Sequence, residues 1–217
     1  MSLCLTGLTV RLNQTPPLFP ALTLCVGPGE VATVMGPSGV GKSTLLDAVA
    51  GLLSPTFILS GQITLNGMDI SPLPAEARRI GLMFQDAVLF PHLSVGDNLA
   101  FGLSRTVKGR RVRRDTVQEA LADAGLPGMY DRDPASLSGG QRSRAALMRT
   151  LLADPAALLL DEPFSKLDAG LRDEMRGFTF THIRKREIPT LMVTHDPEDA
   201  EATNGPIITL SEAETSR

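Results

Sequence analysis

Apolar positions recur through residues 3–12 at Leu3, Leu5, Leu8, Val10 and Leu12, close to the two-residue period of a half-buried strand. Asn13–Pro20, with three prolines, breaks that strand. Leu22–Val26 predicts a second strand, Gly27-Pro28-Gly29-Glu30 a turn, and Val31–Met35 a third strand, apolar and β-branched as a buried one must be. Leu45–Leu52 predicts a helix that ends near Gly51. Gly61–Leu65 predicts a strand turned by Asn66-Gly67, and Ile80–Phe84 a short buried strand with Gln85 at its end. From about Ser94 to Ala153 the strand signals stop and helical spacing takes over. Val112–Ala124 puts Val117, Leu121 and Ala124 on one side, and Leu137–Gln141 opens a helix that runs to about Ala153. Strand signals return at Ala157–Asp161 and Leu191–His195, then Pro197–Ala202 predicts a helix and Pro206–Leu210 a strand.

Because the α/β alternation resumes after the helical block, that block is an insertion rather than a separate domain. The expectation is one α/β domain: residues 1–84 and 154–217 form a mostly parallel sheet with helices and an antiparallel β apron, and residues 85–153 form a helical subdomain.

Charge and composition narrow the function. The net charge of −3 and pI of about 5.6 give no overall case for nucleic acid. The run Lys108, Arg110, Arg111, Arg113, Arg114 reads as a solvated helix end, with acidic lipid headgroups or a partner as the functional alternative. Cys4 and Cys25, far apart in apolar surroundings, read as reduced core residues of a cytosolic protein. No apolar run nears the ~18–20 residues of a membrane span. The start of the chain has no signal-peptide pattern, so if the protein works at a membrane, something else carries it there.

Candidate chemistry centres on Gly36-Pro37-Ser38-Gly39-Val40-Gly41-Lys42-Ser43-Thr44, a phosphate-binding loop pattern between a predicted strand and a predicted helix. Its N–H groups and the helix N-terminus suit an anion, Lys42 the outer phosphates and the Ser43 hydroxyl Mg²⁺. Ser138-Gly139-Gly140-Gln141 makes a second anion site at a helix start, although a merely capped helix has the same look. Ala157–Asp161 ends a buried strand on an acid, which places Asp161 to hold Mg²⁺ with Ser43 and Glu162 to polarise a water. His195 ends another strand at the same sheet edge, where contact with the γ-phosphate is favoured over a packing role.

Together with Gln85 and Ser165-Lys166-Leu167-Asp168, these residues resemble the nucleotide-binding domain of an ABC transporter, over nearly the whole chain and in order. The resemblance implies a P-loop NTPase fold, ATP and Mg²⁺. It also implies a homodimer that sandwiches two ATP molecules, with Ser138, Gly139, Gly140 and Gln141 of one copy meeting the γ-phosphate held by Lys42 of the other. Glu162 then orients or deprotonates the attacking water. Gln85 reaches the metal and couples the γ-phosphate to the helical lobe, while Asp168 orders the dimer interface. The segment Gln85–Val95 is similar to bacterial importers of sulfate, molybdate, iron, polyamines, thiamine and sugars. That similarity implies permease subunits docking near Phe90, His92 and Leu93, and an extracytoplasmic solute-binding protein. An exporter subunit and a non-transport ABC ATPase are the alternatives.

Three departures from the family pattern stand out. No aromatic ring lies in Val10–Gln14 to stack on adenine, and Phe19 is too near the loop, so a weak adenine preference is expected. Lys166 stands where alanine or asparagine is common, and is expected to repel its twin at the dimer axis before nucleotide binds. The chain after His195 is short, which implies a shortened closing hairpin, a polar acidic tail and no fused regulatory domain.

Overall fold

The computed structural model describes residues 1–211. The acidic tail expected after Leu210 lies almost wholly outside them. Strands β1 (Leu3–Leu12), β2 (Leu22–Val26), β4 (Phe57–Leu65) and β5 (Met68–Asp69) form an antiparallel sheet in the order β2-β1-β4-β5. Strands β3 (Val31–Met35), β6 (Ile80–Met83), β7 (Ala157–Asp161), β8 (Thr190–Val193) and β9 (Ile207–Thr209) form a parallel sheet in the order β6-β7-β8-β3-β9. The apron and the parallel core are thus as expected.

The run Leu158-Leu159-Leu160 is wholly buried because each face of the parallel sheet has its own cover. Leu158 and Leu160 pack toward the helical lobe, made of α2 (Val95–Gly102), α3 (Arg110–Asp123) and α4 (Gly139–Leu152). Leu159 packs on the other side, with α1 (Lys42–Ala50) and the inner face of the apron. Arg78 ties α1 down: its buried guanidinium donates to the Ala48 and Val49 carbonyls at 2.8 and 2.9 Å, at the negative end of that helix. Burial draws its pKa below the usual arginine value.

Three expectations change. Strand β4 starts at Phe57, four residues before Gly61, which sits at a register shift opposite Gly7. A Cβ on Gly61 would lie 2.4 Å from the Gly7 carbonyl oxygen, so glycine here marks a bulge and not a strand start. Second, Cys4 and Cys25 are not reduced core residues: they face each other in the β1–β2 register and are joined by a disulfide. The two-residue alternation sends Leu3, Leu5 and Val26 inward, which turns Cys4 half-out and leaves Cys25 exposed. Third, α5 (Ala169–Lys185), the longest helix described, has no counterpart among the predicted elements. Among the described residues, no helix is long and apolar enough to cross a membrane.

Candidate functional site

The carboxyl edge of the parallel sheet gathers the site, as open α/β sheets do. The loop after β3 wraps into α1, whose N-cap is Gly41 at φ 101°, a left-handed conformation closed to most side chains. Leu18 and Phe19 also press within 3.3 Å of where a Cβ would stand. Lys42 is 7% exposed, and its ammonium donates to the carbonyls of Gly36 at 2.7 Å and Pro37 at 3.0 Å. A buried ammonium held only by neutral carbonyls keeps its charge available for an anion. Ser38, Gly39, Gly41, Lys42, Ser43, Thr44 and Glu162 enclose a cavity of ≈ 190 Å³.

Strand β7 delivers Asp161 beside this loop, where the Ser43 hydroxyl donates to Asp161 Oδ1 at 3.3 Å. Burial pushes the Asp161 carboxyl above its usual pKa, the Ser43 hydrogen bond opposes this, and the neighbouring Glu162 adds to it. A desolvated carboxylate against a hydroxyl, next to a phosphate loop, suits a divalent cation.

Glu162 owes its aim to an unusual backbone. Its φ is 44°, left-handed for a side chain that disfavours it, a strain on the order of 1 kcal/mol. The Glu162 N–H donates to Val193 at 3.0 Å, and the Glu162 carbonyl accepts from the Ser165 hydroxyl at 3.0 Å, which together hold the turn. Strand alternation therefore does not set the direction of this carboxylate; the turn does. His195 lies beyond the end of β8, and its Nδ1 is 3.1 Å from Glu162 Oε1. Gln85 donates to Ser165 Oγ at 3.1 Å and reaches Glu162 Oε2 at 3.5 Å. Its amide is thus turned toward Glu162 and not toward the Ser43–Asp161 pair.

Ser138 is the N-cap of α4 in a reciprocal capping box. Its hydroxyl accepts from the Gln141 N–H at 3.3 Å, and its own N–H donates to Gln141 Oε1 at 3.0 Å. Gly140 is pressed against Leu171, whose Cδ1 would be 2.5 Å from an added Cβ. Ser138 and Gly139 are exposed, and none of Ser138–Gln141 lines the phosphate-loop cavity. Asp168 caps α5, accepting from the Leu171 N–H at 3.1 Å. Phe19, fully buried, is unavailable to stack on a base.

Two contacts had no signal in the sequence. Lys166 pairs with Asp86, so the charge expected to repel its twin has an acid within the same chain. Arg172 of α5 pairs with Asp196, next to His195, and joins the unpredicted helix to the edge of the site.

Comparison with known proteins accounts for this arrangement. The ABC transporter family profile matches residues 19–165. The chain belongs to the ABC transporter family. As an ABC ATPase it binds and hydrolyses ATP. It is 48% identical over 200 residues to the ABC transporter ATP-binding protein YnjD of Escherichia coli, covering 92% of this chain and 91% of that one. A Fe(3+) ions import ATP-binding protein of Rhizobium meliloti is 43% identical over 89% of this ABC ATPase, which spans only 54% of that relative's length. A thiamine import ATP-binding protein of Ruegeria is 41% identical over 88% of this chain and 82% of its own. Among solved structures, a dimeric ATP-binding cassette in a post-hydrolysis state with ADP and Pi superposes with a TM-score of 0.78 at 28% identity, covering 96% of this chain and 94% of that one.

Proposed function

We propose that this ABC ATPase powers solute import as an ATP-sandwich homodimer docked on membrane permease subunits. The observation that carries the reading is the divided site. The exposed Ser138–Gly139 helix start lies outside the cavity that holds Lys42 and Glu162, so each chain offers two halves that a two-fold pairing would complete. The dimeric solved relative and the import relatives support the same reading.

In this mechanism the phosphate loop and Lys42 grip the triphosphate, and Lys42 exchanges its carbonyls for phosphate oxygens. Ser43 and Asp161 would hold Mg²⁺, which supplies charge neutralisation on the phosphate oxygens. Among the described residues no group of three or more acid, histidine or cysteine side chains is placed to hold a metal, so Ser43 and Asp161 would hold it together with oxygen donors of another kind. Glu162 accepts a proton from water in line with the γ-phosphate, and His195 orients that carboxylate and reaches the same phosphate. Gln85 turns from Ser165 to report on the phosphate.

The permease contact falls around the Gln85–Val95 segment. Phe90 is half-buried, edge-on to Phe101 at 4.8 Å with the Arg149 guanidinium 5.2 Å above it. The exposed apolar surface beside it belongs to Phe84, Val88 and Phe101. These three join Phe90, His92 and Leu93 as candidate contacts, and the solute-binding protein sits on the far side of the membrane.

Reconstitution with its membrane subunits in vesicles tests the reading. ATP-driven accumulation of solute against its gradient is expected; ATP-driven movement the other way would make this an exporter. Base selectivity is a separate expectation. With no ring to stack, worth about 1–3 kcal/mol in comparable base contacts, ATP and GTP should give kcat/KM values within about tenfold of each other. A preference of hundreds-fold for ATP in the same steady-state assay would mean that another contact reads the adenine.

A further inference from the structure

The segments that follow β6 and β7 are cross-linked by two adjacent contacts. The inner one is the hydrogen bond from Gln85 to Ser165, with Glu162 at 3.5 Å from the same amide. The outer one is the ion pair of the very next residues, Lys166 with Asp86. The four residues are neighbours on the same two segments, so the ion pair holds together the two backbones that the Gln85–Ser165 hydrogen bond spans. The pair also spans a cleft of ≈ 400 Å³ between these two segments and the start of α4.

This arrangement bears on nucleotide because Gln85 has one amide. While its N–H groups serve Ser165 and Glu162 they cannot serve a phosphate, and Glu162 is likewise engaged from both sides, by Gln85 and by His195. We propose that Lys166 is a positioning residue: its ion pair with Asp86 holds Gln85 against Ser165 and Glu162, and so sets how much ATP the site requires before Gln85 turns to the γ-phosphate. The inference rests on the ATPase reading above and deepens it. A conformer held closed lowers the competent fraction and raises the apparent constant for nucleotide in proportion. Both partners are more than half exposed, at 53% and 62% of their side chains, so the latch is a weak, salt-sensitive one.

The test is the steady-state ATPase of the full chain, with KM and kcat read separately. Lys166→Met is expected to lower KM for Mg-ATP about two- to fivefold, the range of an exposed ion pair, while kcat stays within about twofold. Asp86→Asn should shift KM in the same direction, and Lys166→Arg should keep the wild-type value. The exchange Lys166→Asp with Asp86→Lys should restore it. Raising salt from 0.05 to 0.5 M should bring the wild-type KM toward that of Lys166→Met, as screening opens the latch.

Repulsion between two Lys166 side chains at a dimer axis predicts the opposite sign for Asp86→Asn, because it would strip Lys166 of its neutralising partner. A raised KM in that variant overturns the latch. So does an unchanged KM in Lys166→Met with the wild type active. A wild type with no turnover, alone or with its membrane subunits, overturns the ATPase reading and this inference with it.

Discussion

Glu162→Gln is expected to bind ATP, pair with a second copy and cease turnover, with a loss in kcat of about 10²–10⁴-fold. The size of the loss follows from how little else the substitution disturbs. Glutamine has the shape of glutamate and the same backbone, so the turn at φ 44° and the hydrogen bond to Val193 persist. Its amide oxygen still accepts from His195 Nδ1. What disappears is the negative charge beside the phosphate-loop cavity, the second oxygen that Gln85 reaches at 3.5 Å, and the ability to take a proton from water. ATP binding is expected to improve, since one anion near the triphosphate is gone. Light scattering with ATP then reports a lasting dimer, and phosphate release reports the loss. Turnover within about threefold of wild type would take Glu162 out of the proton-transfer role.

The second large effect requires two defective chains. Lys42→Ala removes the buried ammonium of one half-site, and Ser138→Arg blocks the helix start of the other. Each variant alone should fall below about 1% of wild-type ATPase, since both sites of each homodimer are damaged. In a 1:1 mixture about half of the pairs are mixed, and each mixed pair joins an intact phosphate loop to an intact α4 start once. The pool should therefore recover about a quarter of wild-type activity if one site fires alone. Ser138 is exposed, so arginine fits the isolated chain, and losing its capping role costs about 1 kcal/mol. Mixed pairs that form, and that hold no more nucleotide between the chains than either variant alone, would mean that the two halves do not complete each other.

Much of this was legible in the sequence because the chemistry is local. A glycine loop between strand and helix, an apolar strand ending on Asp161, and a serine–glycine helix start each carry their reason within a few residues. What escaped detection depends on the third dimension. The longest helix, Ala169–Lys185, buries Met175, Phe180 and Ile183 but interrupts them with Gly177 and many charges, so its apolar stripe is faint. Gly61 looked like punctuation because a bulge and a strand end use the same residue. The left-handed turn at Glu162 is imposed by bonds to Val193 and Ser165 and has no local signature. Lys166 and Asp86 are eighty residues apart in sequence, and only the pairing of β6 with β7 brings them together. The cysteines were misplaced for want of the strand register, which alone says which way a side chain faces.

One buried amide has a mechanical consequence. Asn98 of α2, with no exposed surface, accepts from the Phe90 N–H at 2.7 Å and donates to the carbonyls of Phe90, Leu93 and Ser94 at 3.0–3.2 Å. The bend from Phe90 to Ser94 is therefore knotted to the helix beneath it. A load applied at Phe90 is shared with α2 through these hydrogen bonds. Without that amide the bend would lose its anchor on α2 while the exposed side chains around it stayed in place.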